Sequence, residues 1–331
     1  MSVRMRIKLS KKLSLLVIAL GFSCATMAQQ EPQFSQYMFN RMSYNPGYAG
    51  SSGSICATAM YRNQWMGLKL DAPTTNGNAG STPTDILFNF DMPVKFLHGG
   101  IGLTFVNDKI GYHKNNMIAL DYAFRMFWGE GNLSAGIEVD LLNSTLDIES
   151  LVGTEDYDPV LGTQNASAML IDGAVGIYYQ VPGKYYLGLS VKNLLGAHSD
   201  EIAFTNARTA YLMGGYDYTP ASAPLIRIRP SALLKTAGLS YFQADLSCLV
   251  DYRNAFWGGL GYRVEDAFYL LAGVHWKKFN IGVSYDITTS NLGAYKPGRS
   301  FGSLELYLKF AFKVVIPRKP DTRYGNTMLL D

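Results

Sequence analysis

A hydrolytic centre needs a nucleophile, a base and an orienting acid that converge on one spot. The chain offers four histidines as bases. His98 and His113 fall at turn positions and His198 in a loop-like stretch, while His275 lies in an alternating run. Ser284 and Asp286 share one face of the next run, so a Ser-His-Asp set can be written down on paper. The two-residue turn at Lys277-Lys278 sets His275 opposite Asn280. Asp286 is then roughly six residues, or about 20 Å, along the strand. That spacing argues against a direct His–Asp bond, and His275 reads as a histidine lining an interior. No catalytic residue is assigned.

Metal and phosphate chemistry fare no better. Glu155, Asp156 and Asp158 form a small acidic cluster that could offer oxygen ligands to Ca²⁺, but without the regular calcium-loop spacing. Gly99-Gly100-Ile101-Gly102 and Gly258-Gly259-Leu260-Gly261 lack the Lys and the strand–helix setting of a phosphate loop. They suit places where crowding must be relieved in a curved sheet. No cofactor and no metal is expected. Cys56 and Cys248 could pair in an oxidising compartment, yet both fall inside strand-like segments, and two unpaired, buried thiols fit better.

The elements that carry these side chains are clearest between Ala267 and Thr288. Phe268, Leu270, Ala272, Val274 and Trp276 alternate with Tyr269, Leu271, Gly273 and His275. After the Lys277-Lys278 turn, Phe279, Ile281, Val283, Tyr285 and Ile287 alternate with Asn280, Gly282, Ser284 and Asp286. Successive side chains of an extended chain point to opposite faces, so this is a hairpin with one apolar face and one mostly small or polar face. Runs of about ten residues suit a strand that crosses a bilayer.

Before the strands comes a leader. Arg4, Arg6, Lys8, Lys11 and Lys12 precede an apolar run from Leu13 to Phe22, then Ala25-Thr26-Met27-Ala28. This is the pattern of a secretory signal peptide for Sec-type export, cut near Ala28. Its five basic residues account for the apparent basicity: of 29 Lys and Arg against 26 Asp and Glu, 24 basic residues remain. No basic face is left for nucleic acid. The rest shows no linker and no shift in composition, which favours one continuous β-domain.

Strands are expected at about 53–65, 82–92, 99–107, 114–128, 131–142, 167–180, 184–193, 205–218, 222–235, 239–251, 254–264, 266–276, 278–288 and 301–315. An even count near fourteen is what a single-chain bacterial barrel requires. The longest connections, 66–81, 143–166, 194–204 and 289–300, follow the first, fifth, seventh and thirteenth strands. All are odd, so all would emerge at one end, as the external loops of such barrels do. The fold expected is all-β: a transmembrane antiparallel up-and-down β-barrel over 53–315, with a periplasmic or plugging segment at 29–52 and a periplasmic tail at 316–331. On the combs, Leu133, Ala135, Ile137, Val139 and Leu141, like Leu304, Leu306, Leu308, Phe310 and Phe312, would meet outer-membrane lipid. Arg62, Asp121, Arg125, Glu138, Asp140, Asp172, Lys192, Arg227, Arg229, Asp245, Arg263, Asp286 and Lys309 would point inward. The interior is then either a hydrated channel or a cross-linked, filled core, and the near balance of charge signs favours the latter.

Two irregular runs precede the first strand: Gln33-Phe34-Ser35-Gln36-Tyr37-Met38-Phe39-Asn40, then Tyr44-Asn45-Pro46-Gly47-Tyr48-Ala49-Gly50. Asn45-Pro46-Gly47 marks a turn, and Ser35–Arg41 has room for one short helical turn. These runs resemble the mature amino terminus of the PorP/SprF family. Arg62-Asn63-Gln64-Trp65 is similar to that family's basic residue followed by Gln-Trp. The resemblance extends from residue 33 to about 315 and departs where Arg41 replaces the usual second Pro after Phe-Asn. It implies a non-enzymatic outer-membrane barrel of the type IX secretion system of certain Gram-negative bacteria. It further implies contact with periplasmic subunits of the secretion and gliding-motility ring, or support for a secreted, adhesin-like surface partner. The candidate contact residues are those of the motifs: Gln33, Phe34, Ser35, Gln36, Tyr37, Phe39, Asn40, Tyr44, Asn45, Pro46, Tyr48, Gly50, Gln64 and Trp65. The alternative from the barrel alone is a general diffusion channel or small-solute transporter.

Overall fold

Alternation becomes strand wherever one face can be hydrogen-bonded into a sheet and its two sides sent to different surroundings. The computed structural model describes residues 32–68, 82–147, 165–202, 204–238, 241–290 and 300–313. The leader expected at 1–28, the acidic cluster at 155–158 and the tail expected at 316–331 lie outside the described residues. The first strands are β1 (Ser54–Met66), β2 (Thr84–Val94), β3 (Gly99–Ile110), β4 (His113–Trp128), β5 (Gly131–Leu146), β6 (Ala166–Val181) and β7 (Tyr185–Lys192). A small hairpin follows, β8 (His198–Ser199) and β9 (Phe204–Thr205). Next come β10 (Thr209–Tyr216), β11 (Ile226–Ala237), β12 (Tyr241–Tyr252) and β13 (Phe256–Arg263). The last three are β14 (Ala267–Trp276), β15 (Phe279–Thr288) and β16 (Gly302–Lys313).

Apart from the β8–β9 hairpin, these strands form one closed antiparallel barrel of 14 strands, each paired with its neighbour in sequence. Closure pairs β1 with β16, Arg62 opposite Glu305 and Ser54 opposite Lys313, which removes the edges an open sheet would expose. The strand expected at 205–218 is shorter than its alternation suggests, because Phe204 and Thr205 turn aside to pair with Ser199 and His198. The four long connections all leave one end of the barrel. The other end carries 95–98, 129–130, 182–184, 253–255 and 277–278, with 217–225 the exception in length.

The barrel is inside out relative to a soluble domain. On β5, Ile137 and Val139 are 55% and 58% exposed, while Glu138 and Asp140 between them are 4% and 2% exposed. Soluble monomers rarely show so continuous an apolar exterior. In lipid the same pattern is the stable one, since a Lys or Arg on the outer face at mid-bilayer costs about 2–4 kcal/mol. The thiols are free: Cys56 is buried, whereas Cys248 is half-exposed on the outward comb between Leu246 and Val250, not buried as the sequence suggests.

Candidate functional site

Residues 33–51 run through the lumen, and their polar groups are buried because each meets an inward-facing partner. Ser35 stands at the centre of one cluster. Its Oγ donates to Asp286 Oδ2 (2.7 Å) and accepts from Arg62 Nη1 (2.9 Å) and Arg263 Nη2 (3.3 Å). Arg62 also pairs with Asp286 (2.9 Å) and Glu305 (3.0 Å), and Arg263 with Asp245 (2.8 Å). The Glu305 carboxylate accepts two successive backbone N–H groups, from Ser35 (2.8 Å) and Gln36 (2.9 Å). Five strands, β1, β12, β13, β15 and β16, are thus tied to one serine and its neighbours. Charge-assisted bonds of this kind are roughly twice as strong as neutral ones.

Farther along, the chain makes a 3-10 turn at Tyr37–Phe39, within the short helical stretch expected at Ser35–Arg41. Phe39 stacks on Tyr307, with ring centroids 4.8 Å apart, and packs at a tilt against Trp257, at 4.7 Å. Arg41, which stands where the family pattern has Pro, lies over the Tyr186 ring at 3.6 Å and donates to the Tyr178 hydroxyl (3.0 Å). The following turn still forms, through Tyr44 and Asn45 N–H groups bonded to the Arg41 carbonyl.

The Asn45-Pro46-Gly47 turn presses against bare backbone. Asn45 Oδ1 accepts from Gly47 N (2.8 Å), and its Nδ2 donates to the carbonyls of Ile177 and Leu189. A side chain at Gly136 would lie 2.3 Å from Gly47 N, and one at Gly176 would lie 2.2 Å from Asn45 Oδ1. These glycines form a groove on the inner wall of β5 and β6 that admits the turn.

At its far end the run is held by a fork. Arg125 donates to the carbonyls of Ala49 (2.8 Å) and Gly50 (3.0 Å) and to Ser51 Oγ (2.9 Å). Gln180 donates to Ser51 O (2.7 Å), and Gly50 N to Asp91 (3.1 Å). Asp91, Arg125 and Gln180 sit where their strands run into short connections. Gln33, bonded to Asp245 (2.6 Å), lines a cavity with Trp65, Pro83 and Ile110, where strands run into the opposite end. The segment therefore spans the lumen lengthwise.

The motif residues thus divide by place. Phe34, Ser35, Gln36, Tyr37, Asn40, Tyr44, Asn45, Pro46, Tyr48 and Gly50 are buried in the lumen, and Phe39 is packed beside them. Asn40 meets Asn89, and the Tyr37 hydroxyl meets Ser231 and Ser247. Gln64 and Trp65 stand apart at the end of β1, half-buried, with Trp65 at φ +52° in a break of the β1–β16 register. His275 does sit opposite Asn280, but its Nε2 lies 3.2 Å from Asp251, on β12 two strands away. Sequence reasoning missed that pairing, the central place of Glu305 and the glycine groove. Glycines in the middle of otherwise alternating strands were the available signal for the groove.

A closed antiparallel cylinder with an apolar exterior and an ionic, packed interior is an outer-membrane β-barrel. The family described as "Type IX secretion system membrane protein PorP/SprF" matches residues 26–310, and the chain belongs to it. That is a family of secretion-system membrane proteins, not of enzymes. Among curated proteins no match was found. Among solved structures the chain is similar to the Acinetobacter baumannii outer membrane protein Omp33, at 7% identity and TM-score 0.44, covering 78% of this chain and 97% of that one. It is also similar to a Pseudomonas aeruginosa FadL homologue, at 10% identity and TM-score 0.44, covering 85% and 94%. The NanC porin covers 78% of this chain at 8% identity and TM-score 0.37, with 100% of its own chain matched.

Proposed function

We propose that this barrel serves type IX secretion as a non-conducting outer-membrane scaffold. Its tail would contact periplasmic subunits of the secretion and motility ring. Its long connections would hold a secreted, adhesin-like partner at the cell surface. The observation that carries this reading is the lumen itself, crossed from end to end by residues 33–51 and locked through Ser35, Asn45 and the Arg125 fork. A diffusion channel gains nothing from a wall tied to its own filling. The reading is non-enzymatic because the family is one of secretion-system membrane proteins. Within the motif, Gln64 and Trp65, half-buried at the end of β1, would be the members to touch a partner, while the buried ones would hold the plug.

Planar-bilayer recording tests the conduction claim. The full-length protein is expected to give no sustained open pore, and a variant lacking residues 33–51 should conduct. Stable conductance by the intact protein would favour the general channel. For the partners, crosslinks from residues 66–81 and 143–166 should reach a surface protein, and crosslinks from the tail should reach periplasmic subunits. Finding neither above background would remove the scaffold.

A further inference from the structure

At the end with the short connections, one sector of the outer wall carries cations. The connection after β12 holds Arg253, and the one after β14 holds Lys277 and Lys278, all three exposed. Backbone bonds stitch these turns to their neighbours. His275 N donates to Ala255 O (2.8 Å), and Ala311 N on β16 donates to Lys278 O (2.9 Å). Turns two strands apart lie about 10 Å from each other, so the three cations share one short arc of the rim. Each is held against an outward-facing ring. Arg253 Cζ lies 5.2 Å from the Tyr252 centroid, Lys277 Nζ 5.1 Å from Trp276 and Lys278 Nζ 4.3 Å from Phe312. The band of rings runs on from Trp276 to Phe279 and Phe310, with centroids 6.2 and 5.3 Å apart. Toward mid-barrel the same sector exposes Leu260, Leu270, Ile281 and Leu308.

The charge of this arc is one-sided. No Asp or Glu occurs in 252–256, 276–279 or 310–313, and none of the three cations forms an ion pair with a described residue. The opposite flank of the same rim provides the contrast. Trp128, Tyr179 and Tyr185 form a comparable band there, with centroids 5.9 and 6.1 Å apart. Its lysine, Lys184, is neutralised by Glu130 at 2.7 Å. Rings alone suit any membrane boundary. Rings capped by unneutralised cations, above an oily wall, suit an amphiphile whose head is negative.

We propose that the sector from β12 to β16 is a binding site for an anionic phospholipid. Its phosphate diester meets Arg253, Lys277 and Lys278, and its acyl chains lie along the wall of Leu260, Leu270, Ile281 and Leu308. A zwitterionic headgroup is a poorer fit, because its own ammonium is repelled by the arc. Short turns of bacterial barrels face the periplasm, so the lipid belongs to the inner leaflet of the outer membrane. It bridges two hairpin turns and β16 beside the β1–β16 closure, and so braces the seam of the barrel. The site is independent of which partner the barrel serves.

The test uses the full-length barrel, folded in detergent and immobilised, and measures retention of isotope-labelled phosphatidylglycerol and phosphatidylethanolamine with the same acyl chains. Phosphatidylglycerol should bind on the order of tenfold more tightly. Arg253→Gln, Lys277→Gln and Lys278→Gln should each weaken its binding about fivefold, and the triple variant should lose the preference. Lys184→Gln, on the opposite flank, should change nothing. Migration on unheated gels checks that each variant is folded. Without any substitution, raising salt from about 0.1 to about 1 M cuts the reach of exposed charges from about 10 to about 3 Å and should erase the preference. Glycerol 3-phosphate should not displace the lipid at equal concentration, since it has no chains for the wall. Equal binding of the two lipids by the parent would overturn the proposal. So would a preference that survives the triple variant or high salt, an equal loss in Lys184→Gln, or displacement by glycerol 3-phosphate.

Discussion

Ser35 shows what a single side chain does in this lumen. Its hydroxyl satisfies one carboxylate and two guanidiniums at once, so Ser35→Ala leaves charged groups short of partners. Hydrogen bonds to charged groups are worth about 1.5–3 kcal/mol, and Ser35→Ala is expected to lower unfolding stability in detergent by that amount. Ser284 provides the contrast. It is as deeply buried, but its Oγ has no partner among the described residues. Ser284→Ala removes a buried hydroxyl that lacks a partner and should be neutral or stabilising, and equal losses at both sites would remove the special place given to Ser35. Arg62→Met, which strands Asp286 and Glu305 together, should cost about 3–5 kcal/mol in the same measurement. That these ions face inward is legible in the sequence, since Arg62 and Asp286 each lie on the polar comb of an alternating strand. Their pairing is not. Arg62 and Glu305 are 243 residues apart and become neighbours only when β1 closes on β16. His275 illustrates the same limit, because its nearest acid comes from a strand that hairpin logic does not reach.

Among the elements, the strands and the Asn45-Pro46-Gly47 turn were readable, and the groove that receives the turn was not. Alternation locates the barrel strands to within a few residues, since a one-residue slip would turn every apolar side chain inward. The β8–β9 hairpin escapes notice because two-residue strands are shorter than any period. The fit of the Asn45-Pro46-Gly47 turn against β5 and β6 depends on missing side chains, and a missing side chain has no pattern of its own. Gly136→Ala should make the groove visible. The added methyl would fall 2.3 Å from Gly47 N and 2.4 Å from the Pro46 carbonyl carbon, both backbone atoms that cannot swing aside. Overpacking of this kind costs about 1–3 kcal/mol. The variant should release the segment, seen as faster proteolysis between residues 33 and 51. Gly214→Ala meets nothing nearer than 3.6 Å and should leave the cleavage pattern unchanged. Equal cleavage of the two variants would mean that the glycines do not hold the turn.

For the whole molecule, the parity of long and short connections already implied a closed barrel across a membrane, and the closed sheet with its apolar exterior agrees. What the interior holds could not be settled by counting charges, because balanced signs suit both a hydrated channel and a packed core. The structure fills it with a short irregular segment whose donors and acceptors match those of the wall around nearly its whole circumference. The account stands on that segment being part of the folded body. Hydrogen–deuterium exchange on the folded, full-length protein measures this without any substitution. The amides of Ser35, Gln36 and Gly50, bonded to Glu305 and Asp91, should exchange as slowly as the strands β1 and β16. If residues 33–51 instead exchanged at the rate of a free peptide while the strands stayed protected, the lumen would be open and the plugged scaffold refuted.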